Sequence, residues 1–193
     1  MRALLPLILA AQAAYARPVA SFRGDQALVS LGAGISGYVD AAPRAATAVI
    51  GSAWDFRLTF GARAWLAVEA EYLGTYSSLN GSGSQTPFVV SNAVEAQLRV
   101  NFTDWVWQPF VFAGAGYDRA ELHARNVDPA AAASFASTAD RFVLPIGAGF
   151  DVTFVRHLNF DLRLSYRAHF GQTLIAGARD DQWTVTTHVG YAF

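Results

Sequence analysis

The chain has 193 residues, of which 53% are hydrophobic and only 15% are charged. Ordinary soluble domains carry about 25% charged residues, and disordered chains combine low hydrophobicity with high net charge, so the composition argues against both classes. A formal net charge of −1 offers no basic surface for nucleic acid. Because the chain has no cysteine, disulfides and thiolate metal sites are excluded. We expect no cofactor and no metal.

The first residues of the chain have the pattern of an export signal. Arg2 supplies a positive charge, residues 3–11 form the longest apolar run, and Ala14-Tyr15-Ala16 fits the rule for cleavage sites. That run is too short for a membrane-spanning helix, which needs roughly 20 apolar residues. We therefore expect a signal peptide at residues 1–16, or 1–20 if cleavage follows Ala20. A short periplasmic segment at residues 17–26 would follow it.

The remainder, residues 27–193, alternates large apolar side chains with small or polar ones. This period of two predicts β-strands whose two faces meet different surroundings. The apolar faces lie at odd positions of 29–35, at even positions of 50–60, 66–72, 94–102, 142–154 and 158–170, and at odd positions of 183–193. A further segment, Gln108 to Tyr117, is apolar on both faces, so the sequence leaves its inward face open.

The connections between these segments alternate in length. Short ones lie near residues 61–63, 103–104 and 156–157, and longer ones at 40–47, 77–86, 119–139 and 171–181. Short turns at one end and long loops at the other are typical of outer-membrane barrels. The predicted fold is an all-β, antiparallel, eight-stranded up-and-down transmembrane β-barrel.

The spacing of the aromatic residues indicates which face meets lipid. Trp183 and Phe193 lie ten residues apart on one face, as do Phe160 and Phe170. Ten tilted strand residues rise roughly 25 Å, the height of a lipid-facing band. The predicted aromatic girdles comprise Phe60, Phe102, Phe154, Phe160, Phe193, Tyr76, Phe142, Phe170 and Trp183. A secreted lipocalin-like binding barrel, whose apolar face points inward, stays a second alternative.

The opposite face carries charges of both signs, and every basic residue is arginine. An eight-stranded interior is only wide enough for side chains to fill, and an unpaired charge inside it would be costly. We therefore predict a lumen closed by ion pairs, with Gly32 and Gly34 making room for a long arginine side chain. The predicted network comprises Asp55, Arg57, Glu69, Glu71, Glu95, Arg99, Asp151, Asp161, Arg163 and Arg167.

The chain ends on Val189-Gly-Tyr-Ala-Phe193, which resembles the C-terminal signature read by the barrel-assembly machinery of Gram-negative bacteria. The chain as a whole resembles the small eight-stranded outer-membrane barrels of the OmpA/OmpX type. This resemblance implies a place in the cell outer membrane and an assembly signal at Val189, Tyr191 and Phe193. The implied partners are outer-membrane lipid, lipopolysaccharide and the assembly machinery. We expect a monomer that binds no nucleic acid.

The resemblance leaves the function open between two classes. The first is a structural or surface-interaction role through extracellular loops, and the alternative is an OmpW-like narrow channel or transporter for small or apolar solutes. The alternative would need a gap in strand pairing, such as one at Pro145, although a plain bulge is the expected effect of that residue. Barrel lipid A deacylases use a His-x-Ser-Asn arrangement, which neither His169 nor His188 matches. Ser165 and His169 share a face but lack an orienting acid, so we expect no enzyme.

Overall fold

The computed structural model describes residues 27–63, 65–80, 87–103, 106–123, 136–155, 157–175 and 177–193. The predicted signal peptide and periplasmic segment lie outside these residues. Eight strands form a closed antiparallel barrel in which each pairs with its neighbours in sequence and the last pairs with the first. The strands are β1 (Ala27–Tyr38), β2 (Gly51–Arg63), β3 (Leu66–Ser78), β4 (Phe88–Asn101), β5 (Trp107–His123), β6 (Thr138–Val155), β7 (Leu158–Gly171) and β8 (Gln182–Ala192).

The predicted fold class is therefore confirmed, but some boundaries were wrong. The long connection expected at residues 119–139 is shorter, because β5 continues to His123 and β6 begins at Thr138. The same alternation extends through this part of β5, where Asp118 and Ala120 are buried and Arg119 is exposed. Likewise, β3 continues to Ser78, two residues into the predicted loop.

One helix interrupts the long connection between β1 and β2. This helix, α1 (Ala41–Ala46), was not predicted, and its only buried residue is Pro43. The Thr47 hydroxyl donates a hydrogen bond of 2.8 Å to the Pro43 carbonyl at its end. Among the helices within the described ranges, none is long and apolar enough to cross a membrane.

The strand register shows how strongly the barrel is sheared. Following the paired residues once around, from Ala27 through β2 to β8, leads back to β1 at Gly37, ten residues further along. Such a stagger requires the strands to tilt against the barrel axis, by roughly 35–45° in typical barrels. The tilt carries residues from distant strands to the same height inside the lumen.

The two faces of each strand meet the surroundings that the alternation predicted. Large apolar side chains such as Leu31, Val94 and Leu164 point outward and are exposed, while charged side chains of the opposite faces are buried. The lipocalin-like alternative is therefore wrong, since its apolar face would point inward. The sequence left open which face of β5 points inward. The structure shows that the even positions, including Phe110 and Phe112, point inward.

Pro145 interrupts the pairing of β5 with β6 without shifting it. The paired residues run to Ala113–Ile146 and resume at Gly116–Val143 in the same register, and Pro145 has no N–H to donate to the ladder. The bulge expected at this residue is therefore absent from this pair of strands. The register shifts instead in the β6–β7 pair between Thr153 and Val155, and in the β2–β3 pair between Gly61 and Arg63.

Candidate functional site

The lumen between the short-turn end and mid-height is filled by charged side chains, which we call the lumen network. All ten predicted residues are buried. Its members are Asp55, Arg57, Glu69, Glu71, Glu95, Arg99, Asp151, Asp161, Arg163 and Arg167. Since each strand sends alternate side chains inward, the closed barrel brings these residues together from β2, β3, β4, β6 and β7.

Arg163 lies at the centre of this network. Its guanidinium donates to both Glu69 and Glu71, with 3.0 Å between Nη1 and the Glu71 carboxylate, and it also bonds the Gln97 amide oxygen at 2.8 Å. Glu69 lies 3.6 Å from Arg99 as well. A buried charge needs several such partners, because its desolvation is otherwise uncompensated.

The remaining arginines of the network each contact a carboxylate on another strand. Arg57 pairs with Asp161, Arg167 pairs with Glu95, and Arg99 donates a 2.8 Å hydrogen bond to Asp151. These pairs connect strands that are not neighbours in the sheet, and therefore cross-brace the barrel through its interior.

Two aromatic rings fill one side of the same lumen, which sequence reasoning missed because β5 is apolar on both faces. The Arg99 guanidinium carbon lies 3.7 Å from the Phe110 ring centroid, and that of Arg163 lies 4.0 Å from the Phe112 centroid. Cation–π contacts of this kind are stronger when the cation is desolvated. The two rings therefore pack against arginine side chains of the lumen network as well as filling space.

His188 on β8 makes two contacts that the sequence did not predict. Its Nδ1 lies 2.6 Å from the Asp161 carboxylate and its Nε2 lies 2.8 Å from the Asp55 carboxylate. Asp55 is therefore paired with histidine, where we had expected arginine. The space expected above Gly32 for an arginine is taken by His188 and Asp55, and Gly34 instead lies close to the β8 backbone at Thr186.

A second polar group, which we call the upper cluster, lies at the long-loop end of the lumen. It comprises Ser91, Asp118, Arg141, His169 and Asp180, all buried. Arg141 pairs with Asp118 and lies 3.2 Å from Asp180, and His169 Nε2 lies 3.2 Å from Asp118. Arg141 already stood on the inward face of the predicted strand, so the alternation could have revealed it.

The upper cluster is covered by a small apolar cap. Leu174, in the connection between β7 and β8, packs against inward-facing residues at the ends of the strands. These residues are Leu79, Val89, Ala120 and Ala139. The Leu174 N–H donates to the Asp180 carboxylate at 2.7 Å, and its carbonyl accepts from the Ala136 N–H at 2.8 Å. Burial raises the pKa of Asp180.

The predicted girdle residues lie on the outer surface. Phe60, Phe102, Phe154, Phe160, Phe193, Tyr76, Phe142 and Phe170 are exposed, and Trp183 is half-buried. The assembly-signal residues Val189, Tyr191 and Phe193 also point outward. Tyr191 stacks on His157 at 5.4 Å between ring centroids, and the Phe193 N–H bonds the Ala27 carbonyl at 2.9 Å.

The family comparison decides what kind of protein this is. The family described as outer membrane protein beta-barrel domain matches residues 3–193. The chain belongs to this outer-membrane family. As a member, the barrel protein resides in the cell outer membrane. No curated protein sequence matches it.

Solved structures with the same fold come from several Gram-negative bacteria. Neisserial surface protein A (NspA) aligns with a TM-score of 0.59 at 13% identity, covering 87% of the barrel protein and 97% of NspA. The N-terminal β-barrel domain of Pseudomonas aeruginosa OprF gives 0.54 at 13%, covering 89% and 100%. OprG of the same organism gives 0.56 at 14%, covering 89% and 97%. At these identities the likeness shows the fold alone.

The residues considered for catalysis are engaged elsewhere. The Ser165 hydroxyl lies 2.6 Å from that of Thr184, and His169 contacts Asp118. In the upper cluster, the Ser91 hydroxyl donates to the Asp118 carboxylate. The same carboxylate contacts His169, so an acid does lie beside this histidine, although the sequence showed none. Within the described ranges, no group of three or more His, Cys, Asp or Glu residues could hold a metal ion.

Proposed function

We infer that the barrel protein is a plugged outer-membrane barrel that acts at the cell surface through its extracellular loops, without conducting solutes and without catalysis. The observation that carries this inference is the filled lumen. The arginines of the lumen network are at most 3% exposed, and each contacts an acidic side chain across the interior. Opening a path would leave charges buried and unpaired, which is strongly unfavourable.

The apolar cap supports the same conclusion at the outer end. A solute entering from the long-loop side would first have to displace Leu174 from its contacts with Leu79 and Val89. Below the cap it would meet the pair between Arg141 and Asp118. Two barriers of different chemistry therefore lie in series along the axis.

Lipid contacts and assembly are part of the proposal. The exposed apolar side chains would contact outer-membrane lipid, and the residues at the long-loop end would meet lipopolysaccharide. Val189, Tyr191 and Phe193, which all face outward at the C-terminus, would be read by the assembly machinery. The interior is complete within one chain, which favours a monomer.

The interruption at Pro145 offers the narrow-channel alternative little support. The strands keep one register on both sides of it, and Pro145 remains paired with Arg167 on β7. A lateral opening would require the edges of β5 and β6 to separate, which would expose unpaired backbone groups to lipid.

Conductance across a planar bilayer tests the proposal. We expect no sustained porin-level current for the native protein, and unstable openings for Arg163→Ala, which removes the centre of the network. Arg119→Ala is the matched control, because the Arg119 side chain is 52% exposed and its ion pair with Glu121 is exposed as well. Sustained current through the native protein, or equal currents for both variants, would refute the plugged barrel.

A further inference from the structure

The His188 side chain links the strands on either side of the seam at which β1 pairs with β8. It lies on β8 directly opposite Gly32 of β1 and opposite Asp161 of β7. Gly32 in turn pairs with Asp55 of β2. The imidazole reaches over Gly32 to Asp55, so one side chain spans the seam between β1 and β8 and contacts a carboxylate on each side of it.

The geometry at His188 requires a charged ring. An ionised carboxylate only accepts hydrogen bonds, and a neutral imidazole donates from one nitrogen only. Both ring nitrogens lie within hydrogen-bond distance of carboxylates, at 2.6 and 2.8 Å. With both carboxylates ionised, the two contacts are satisfied together only when both ring nitrogens carry a proton.

The groups packed around the ring agree with this charge. β2 contributes Asp55 and Arg57, β7 contributes Asp161, and β1 contributes the uncharged Gly32. Arg57 pairs with Asp161 and also lies 3.9 Å from Glu69. This one arginine therefore does not balance the two carboxylates that contact His188, and a protonated His188 supplies a further positive charge.

Gly32 makes the arrangement sterically possible. A Cβ atom at position 32 would overlap the His188 ring and the Asp55 carboxylate. This glycine is therefore the position at which a β8 side chain passes over β1 to reach β2.

We propose that Asp55, His188 and Asp161 form a proton-loaded clasp across the β1–β8 seam, so that closure of the barrel binds one proton at His188. Free histidine is half protonated at about pH 6.5. Above that pH the unfolded chain releases the proton while the closed barrel retains it. The barrel therefore loses stability as pH rises, with the unfolding constant increasing about tenfold per pH unit from this residue. The clasp would form whether or not the lumen conducts solutes.

Equilibrium urea unfolding in detergent micelles between pH 6.5 and 9 tests the linkage. We expect the native barrel to lose stability with rising pH, and His188→Gln to lose that dependence while becoming less stable at pH 6.5. His188→Lys, which carries its charge throughout this range, should also lack the dependence but retain more stability. His169→Gln is the matched control, since His169 has a carboxylate beside one ring nitrogen only, and it should keep the native slope.

A second measurement uses the native protein alone, so it does not depend on whether the variants fold. Nitrogen-15 NMR of the native protein in micelles at pH 8 reports directly whether both His188 nitrogens are protonated. The doubly protonated signature supports the clasp. A neutral His188 at that pH, or equal pH slopes for the native protein and His188→Gln, overturns it.

Discussion

The indole ring of Trp54 on β2 lies over Gly74 on β3, so that the ring covers the glycine on the outer surface of the barrel. The same arrangement recurs at the seam, where Trp183 of β8 covers Gly37 of β1 and a Cβ on that glycine would lie 2.7 Å from the ring. Glycine within a strand weakens it, because it has no side chain to pack, and an aromatic ring laid across the glycine restores packing. Both pairs lie toward the long-loop end, where the interfacial girdle is expected.

Substituting valine for Gly74 tests this packing. The new side chain would overlap Trp54, and we expect a loss of about 1–3 kcal/mol in the free energy of unfolding, with a changed tryptophan emission. Ala70→Val is the control, because Ala70 is exposed on the same face of the same strand. Equal stabilities for the two variants in detergent would show that the ring contributes no packing here.

Removing Arg57 should be among the most damaging single changes in the lumen. Arg57 is fully buried and pairs with Asp161 and Glu69, so Arg57→Ala removes a shared partner of both carboxylates and leaves the buried lumen with one more uncompensated negative charge. Losing one member of a buried pair costs about 3–5 kcal/mol. The exposed Arg119→Ala should cost far less, because exposed ion pairs contribute little, as measured by urea unfolding in micelles. Similar losses for both would contradict the cross-bracing role.

Truncating Phe110 should lower the stability of the barrel more than truncating its neighbour Val111 on the outer face. Its ring is 1% exposed and packs under Arg99, so Phe110→Ala removes a buried ring and is expected to cost about 3–5 kcal/mol. Val111→Ala, on the outer face of the same strand and 40% exposed, should cost much less. A ranking in the opposite order would mean that the lumen repacks without the ring.

Asp180 connects the apolar cap to the upper cluster, since one carboxylate oxygen accepts from both the Leu174 N–H and Arg141. Asp180→Ala leaves a buried donor unpaired at a cost of about 1–3 kcal/mol. We expect faster hydrogen exchange at the Leu174 amide. Asp180→Asn keeps an acceptor oxygen and removes a charge that burial disfavours. This variant should preserve the protection of the Leu174 amide against hydrogen exchange. Unchanged exchange in Asp180→Ala would show that Leu174 is held by its apolar contacts alone.

Much of the lumen was open to prediction because alternation along a strand assigns each residue to a face. The ten charged residues of the network, from Asp55 to Arg167, were placed on inward faces in this way. Asp118 was missed because β5 is apolar on both sides over most of its length, which hides the parity. His188 was visible on the inward face of β8, but nothing along the chain shows that it faces Asp55, 133 residues away.

The strands, their number and the lipid-facing side of most of them could be read from the sequence, because they follow from a local period of two and from the lengths of the connections. Which charges pair, which rings fill the lumen and what covers its mouth became clear only in the folded barrel. Those contacts depend on strand register and on the stagger with which the barrel closes. A shift of one residue between two strands would turn a row of side chains to the opposite face, so partners cannot be assigned until the barrel is closed.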